Sequence, residues 1–128
     1  QTLAMMDIDL FKSINDNFGH DAGDDVLRAV SALLKQFFGN EQVVARLGGE
    51  EFSVFFADMP LAQAETQLEA FRQTLADTNI VSGKRHVQCT MSIGVTHGTF
   101  EQLDQLLIYA DELLYQAKQA GRNRVIAR

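Results

Sequence analysis

Two short runs, Val43-Val44-Ala45-Arg46-Leu47 and Phe52-Ser53-Val54-Phe55-Phe56, flank the segment Gly48-Gly49-Glu50-Glu51. Both runs are rich in β-branched or aromatic residues, which favour strands. A Gly-Gly pair between two such runs predicts a tight hairpin, because glycine accepts the positive φ that the turn requires. The hairpin commits the chain to an antiparallel strand pair and leaves a tip without side chains, which a bulky anion can approach. Two carboxylates follow at once and can hold a divalent cation beside that tip. The segment therefore predicts a nucleotide–metal site; taken alone, Glu50 and Glu51 are equally well read as a solvated turn.

The second informative stretch is Met5-Met6-Asp7-Ile8-Asp9-Leu10-Phe11-Lys12-Ser13-Ile14-Asn15-Asp16. Leu3 to Ile8 is largely apolar and predicts a buried strand. Alternation along a strand puts Asp7 and Asp9 on one face and Ile8 on the other. Ionised carboxylates beside a core need a metal, a cation or water. Asp9 has a second reading, as the cap of a helix that begins near Leu10.

These residues carry a resemblance. Asp-Ile-Asp-x-Phe-Lys-x-x-Asn-Asp-x-x-Gly-His-x-x-Gly-Asp (Asp7 to Asp24), Arg-x-Gly-Gly-Glu-Glu-Phe (Arg46 to Phe52) and Tyr115-x-x-Lys118-x-x-Gly121-Arg122-Asn123 follow one another in order. Together they resemble the GGDEF family of diguanylate cyclases, in its GGEEF variant, over nearly the whole chain. The resemblance implies an α+β, palm-like domain similar to nucleotidyl cyclases, with a central, mostly antiparallel sheet packed with helices. It implies condensation of two GTP into cyclic di-GMP and two pyrophosphates. It also implies a helix and an Asp-x-Leu-Thr turn ahead of the first strand. Neither is in this sequence, so residues 1–128 are expected to be a GGDEF domain truncated at its N-terminus, following an upstream sensory or dimerising module.

Composition bounds the alternatives. A chain of 128 residues with 46% apolar content supports one domain with a single core. A net charge of −6 argues against nucleic acid as partner, since such binders carry a basic face. It does not argue against a nucleotide, because a metal supplies the positive charge. The single cysteine, Cys89, excludes an internal disulfide and lies in an apolar run, as a buried inert thiol would. No apolar run approaches the roughly 20 residues of a membrane span, and no leader is visible. The expectation is a cytoplasmic domain without membrane contact.

Along the chain, a helical turn is expected over about Leu10 to Asn17, then a glycine-punctuated link from Phe18 to Gly23. Val26, Leu27, Val30, Leu33, Leu34 and Phe37 predict a helix from Asp24 to Phe38, stopped by Gly39-Asn40. After the hairpin, Pro60 opens a helix with Leu61, Ala64, Leu68, Phe71 and Leu75 inward. Ser82 to Arg85 reads as a turn and Val87 to Val95 as one alternating strand. A helix from Asp104 to Ala120 ends at Gly121, and Arg124 to Ala127 forms a last strand. The mixed order suggests one sheet with helices over one face.

The chemistry follows from these placements and from the resemblance. A 3′-hydroxyl must become nucleophilic while charge on an α-phosphate is stabilised, and Mg²⁺ (or Mn²⁺) serves both needs. The resemblance implies that Asp7, the Ile8 carbonyl and Glu50 hold the metal. It also implies an essential acid at Glu51, serving the metal or the 3′-hydroxyl. The first N–H groups of the turn at Leu10, Phe11 and Lys12 suit an anion, as does the Lys12 charge. Lys118 and Arg122, four apart at a helix end, are expected to project on one side. Alone they read as cations favouring a helix C-terminus; the resemblance implies that they reach the β- and γ-phosphates. Gly48 and Gly49, bare of side chains, admit the substrate at the hairpin tip; by resemblance, Asn15 and Asp24 read guanine. His20 is expected to be structural, and His86 and His97 carry no assignment. Many family members hold inhibitory product on an Arg-x-x-Asp before the hairpin. Here Gly39 and Gln42 replace that pair, so no such site is expected. Two domains are expected to face each other as half-sites, because the product joins two GTP symmetrically. The rival reading is a silent GTP-binding domain that regulates a neighbour.

Overall fold

The computed structural model describes residues 1–128. Its elements run β1 (Thr2–Ile8), α1 (Phe11–Phe18), α2 (His20–Phe38), β2 (Val43–Gly48), β3 (Glu51–Phe56), α3 (Leu61–Ala76), β4 (Ile80–Ser82), β5 (Arg85–Val87), β6 (Met91–His97), α4 (Leu103–Gln119) and β7 (Arg124–Ala127). The main sheet has the order β2-β3-β1-β6-β7, and β4 pairs with β5 in a separate hairpin. All neighbours are antiparallel except β6 and β7, which run parallel. This is the α+β, mostly antiparallel arrangement that the resemblance implies.

β1 is the central strand and is buried throughout. Alternation splits its side chains between two layers. Ala4, Met6 and Ile8 join Phe52, Val54, Ile93 and Val95 in the main core. The apolar stripes of α2 (Val26, Val30, Leu34, Phe38) and α3 (Ala64, Leu68, Phe71, Leu75) close that layer. Phe38 meets Phe56 edge-on at 5.5 Å and Phe71 at 6.0 Å between ring centroids. Such aromatic pairs add about 0.5–1.5 kcal/mol beyond the area they bury.

On the opposite face Met5 packs with Ala110 and Leu114 of α4. Helices therefore cover both faces, not one, because α4 has an apolar stripe of its own in Leu106, Ala110, Leu113, Leu114 and Ala117. Two further differences have local causes. α2 starts at His20, four residues earlier than expected, because Gly23 is a packed helical residue and only Gly19 breaks the chain. The single strand expected over 87–95 is split. β5 folds back on β4, and Thr90 turns its carbonyl to accept from the Asp9 N–H at 2.9 Å.

Candidate active site

The hairpin places the acids. Its register shifts by one residue between Arg46 and Gly48, and Gly48 pairs with Glu51. The bulge leaves Leu47 over, so the two central turn residues are Gly49 and Glu50 rather than the two glycines. Gly49 has φ +51°, the positive value such a turn requires. Arg46 braces the tip by donating from Nε to the Gly49 carbonyl at 3.0 Å. The Glu50 carbonyl accepts from the Ile8 N–H at 3.1 Å, which ties the tip to the end of β1. Asp7 then stands directly opposite Glu51 across the β1–β3 pair. Cross-strand partners share a face, with Cβ atoms roughly 4.5–5.5 Å apart.

Lys118, in the last turn of α4, donates to Asp7 Oδ2. It is the one cation paired with these acids. Burial still dominates at Asp7: it pushes the carboxyl above its usual value, Lys118 opposes the shift, and the charges of Glu50 and Asp9 add to it. Glu51 is raised as well, first by burial and then by the charges of Asp7 and Asp111. Two carboxyls forced toward their neutral forms by burial and by neighbouring carboxylates are short of positive charge. The acids do not form a preformed cage of three or more ligands. A donor set of this kind fits Mg²⁺, which takes one or two carboxylates and completes its sphere with phosphate and water.

Around this centre the other predicted residues fall at distinct places. Leu10, with φ +54°, precedes α1, whose first turn has neither a side-chain cap nor an acid. Its opening N–H groups, with the exposed Lys12, remain open to an anion. Asn15 lies against Gly23 so closely that a Cβ there would stand 1.9 Å from Asn15 Oδ1. That contact sets Asn15 beside the residue that precedes Asp24. Asp24 is exposed on α2 and shares a cavity of about 280 Å³ with Arg28, Ser31 and Arg46, the residue that braces the hairpin. At the Gly39–Gln42 segment a cavity of about 270 Å³ is lined by Gln36, Asn40, Glu41, Gln42 and Gln67, with no cationic side chain.

A profile of the family described as diguanylate cyclase, GGDEF domain, matches residues 1–124. The chain belongs to the GGDEF family. It is 44% identical over 126 residues to the uncharacterized protein YhcK of Bacillus subtilis, covering 96% of this chain and 35% of that protein. It is 39% identical over 126 residues to diguanylate cyclase A of Treponema denticola, covering 97% of this chain and 34% of that protein. The response regulator PleD of Caulobacter vibrioides is 41% identical over 128 residues, covering 97% of this chain and 28% of that protein. The chain thus spans about a third of the length of these relatives. Among solved structures, the GGDEF domain of DgcB from Caulobacter crescentus in complex with c-di-GMP superposes with a TM-score of 0.92 at 33% identity. The match covers 98% of this chain and 76% of that one. The active GGEEF domain of a diguanylate cyclase from Vibrio cholerae gives 0.87 at 32% identity, covering 98% and 81%.

Two readings of this GGDEF domain change with its structure. Asp9 does not cap α1. Its buried carboxylate accepts from Thr90 Oγ1 and Ser92 Oγ, each at 2.6 Å, and from the Asn123 N–H at 3.0 Å. Lys118 and Arg122 do not share a helical face, because α4 ends at Gln119. The chain leaves the helix by a Schellman turn: the Arg122 N–H donates to Ala117 O at 2.9 Å and the Gly121 N–H to Lys118 O at 3.4 Å. Arg122 and Asn123 then both take positive φ, +64° and +48°. Non-glycine residues held so cost about 1–3 kcal/mol each and persist where neighbours fix them.

Asp9, Arg46 and Asn123 lie in the motifs, but nothing in the sequence signals their partners, the ring with Thr90 and Ser92 and the brace on the Gly49 carbonyl. Other expectations have simpler outcomes. His20 opens α2 and is exposed, as are His86 and His97. Cys89 is buried, and burial pushes its thiol up to about 12, so it stays protonated at neutral pH. No helix is long and apolar enough to cross a membrane.

Proposed function

We propose that this GGDEF domain is a catalytically competent diguanylate cyclase that condenses two GTP into cyclic di-GMP. The observation that carries this reading is the pairing of Asp7 with Glu51 beside a hairpin tip tied to Ile8 and next to Lys118. In the reaction a 3′-oxygen bonds to the α-phosphorus of the other GTP, the bond to the β-phosphate oxygen breaks and pyrophosphate departs. Asp7, the Ile8 carbonyl and Glu50 would hold Mg²⁺ (or Mn²⁺), which when bound supplies charge for the phosphates and a more acidic hydroxyl. Glu51, raised by burial and by Asp7, is better matched to receiving the 3′-hydroxyl proton than an ordinary glutamate would be.

The remaining residues bind and orient. Gly48 and Gly49 leave the tip bare, so phosphates lie close to the backbone. The open N–H groups at Leu10, Phe11 and Lys12, the Lys12 and Lys118 ammonium groups and the Arg122 guanidinium receive the triphosphate. Asn15 and Asp24 read the guanine edge, Asp24 accepting from N1–H and the exocyclic amine. The segment Gly39–Gln42, whose cavity has no cationic side chain, provides no fork for inhibitory product. One domain offers one GTP, so the second GTP comes from a second GGDEF domain facing the first, brought there by an upstream sensory or dimerising module. GTP as substrate places the reaction in the cytoplasm.

Turnover at rising protein concentration tests both the activity and the two-domain site. The chain is incubated with GTP and Mg²⁺, and cyclic di-GMP and pyrophosphate are quantified. Turnover per molecule should rise with concentration until the pairs are saturated. Constant turnover by a monomer across the series would overturn the two-domain site. GTP binding without product at any concentration would favour the silent regulatory reading instead.

A further inference from the structure

The loop that carries Arg122 is held from two sides, and neither restraint belongs to the site described above. From below, the Asn123 N–H donates to Asp9 Oδ2 at 3.0 Å, while Thr90 donates to the same oxygen and Ser92 to Oδ1, which holds that buried carboxylate in place. From the side, Arg72 of α3 donates from Nη1 to Asn123 Oδ1 at 2.6 Å. The Arg72 side chain is only 12% exposed. It is steadied by Glu69 and by Gln73, whose Oε1 accepts from Nη2 at 3.0 Å. Asn123 is therefore fixed at both its backbone and its side chain. It sits in the left-handed region, which asparagine tolerates better than most residues. Its neighbour Arg122 shares that conformation but has no side-chain partner among the hydrogen bonds or ion pairs. When a long cationic side chain binds, its rotamer entropy is lost in any case, but a backbone that is already fixed spares the further cost of ordering the loop.

We propose that Asn123, clamped between Asp9 and Arg72, is a positioning residue for the phosphate-binding step: it presets the backbone of Arg122, so that the guanidinium is offered to the triphosphate from a fixed stem. The clamp joins three distant parts of the chain, the end of β1, α3 and the α4–β7 turn. It assigns a role to Arg72, which lies outside every motif of the sequence. This inference rests on the reading of Arg122 as a phosphate ligand.

The test is calorimetric titration of the full chain with a non-hydrolysable GTP analogue in Mg²⁺, repeated with GMP, which lacks the β- and γ-phosphates. Asn123→Ala and Arg72→Ala should each weaken the triphosphate by about tenfold, the size of one charge-assisted hydrogen bond. Neither should change the affinity for GMP. Asn123→Asp, which keeps an acceptor for Arg72 and the N–H for Asp9, should restore binding to within about twofold. In an Arg122→Ala background both losses should vanish, because the clamp then has nothing to position. Equal losses for triphosphate and GMP, or losses that persist in the Arg122→Ala background, would show a general structural role and overturn the proposal. An Arg122→Ala chain that loses affinity while Asn123→Ala and Arg72→Ala lose none would overturn the clamp and leave Arg122 as a ligand. An Arg122→Ala chain that binds like the wild type would sink the ligand assignment, and the clamp with it.

Discussion

From β1, Ala4, Met6 and Ile8 enter the main core, where they meet α2, α3 and the neighbouring strands β3 and β6, whereas Met5 and Asp7 turn toward α4 and end at Lys118. The first set is apolar and fully packed. The second begins apolar at Met5 and becomes polar toward the C-terminal end of the strand, where Asp7, Asp9 and Ser92 are all buried. One strand of seven residues thus serves two ends. Its α2/α3 face stabilises the fold by burying hydrocarbon. Its α4 face gathers buried carboxyls that repel one another, and it does so at a cost to stability. The difference teaches that chemistry here is built on the rigid centre of the sheet and not on a loose edge. The acids are set by strand register, with the bulge at Leu47 as the single adjustment.

The largest expected effect tests the α4 side alone. Glu50→Gln keeps the size of the side chain and the carbonyl that accepts from Ile8, but removes a metal-binding charge. Turnover of GTP should fall by orders of magnitude. The melting temperature should stay within a degree or two, because Glu50 is a turn residue outside the core. A Glu50→Gln chain with wild-type turnover would remove this residue from the site.

The mirror experiment acts on the α2/α3 side. Leu68→Ala on α3 opens a cavity in the main core at a fully buried position. It should cost about 2–5 kcal/mol of stability, measured by denaturant unfolding. Turnover per folded molecule should be nearly unchanged. If Leu68→Ala lowers turnover as steeply as stability, the two faces are not separable.

A smaller effect concerns base choice, away from both faces. Adenine reverses the donor and acceptor positions that guanine presents, so ATP would leave the Asp24 carboxylate facing an acceptor. The preference for GTP over ATP should shrink by about 1–3 kcal/mol in Asp24→Ala, the cost of an unpaired polar contact. Competition titration of the two nucleotides reads this directly. An unchanged preference would place base reading elsewhere, with Arg46 and Arg28 of the same cavity as the next residues to test.

The parts legible in the sequence are those whose cause is local. The buried apolar run of β1, the apolar stripes of α2, α3 and α4, the existence of the hairpin and the helix end at Gly121 follow from residues within a few positions of one another. The strand and the hairpin that bring Asp7 opposite Glu51 are legible for the same reason, while the metal and substrate roles of these acids belong to the proposal and not to the register. What is not legible is held across the chain. Asp9 meets Thr90, Ser92 and Asn123 across separations of 81, 83 and 114 residues, and Arg72 meets Asn123 across 51. An aspartate just before a helix looks the same whether it caps the helix or receives distant donors. Gly23 misleads for a related reason. A glycine that breaks a helix and one that admits Asn15 are indistinguishable without the partner.

The division between the faces is tested most directly by Asp7→Asn, with melting temperature and GTP turnover measured on the same samples across pH. Folding raises the Asp7 carboxyl above its ordinary value of 3.8. A raised carboxyl keeps its proton in the folded chain at pH values where the unfolded chain has already lost it. Stability from this group is therefore greatest at low pH and declines as pH rises from 3.8 through the raised value. Asp7→Asn removes that decline, and the amide that replaces the carboxylate still offers an oxygen to the Lys118 ammonium. The account predicts a variant that melts at or above the wild-type temperature at neutral pH, with a flatter dependence on pH, and whose turnover is lower by orders of magnitude. A variant that melts well below the wild type, or one that turns over GTP at the wild-type rate, would contradict it.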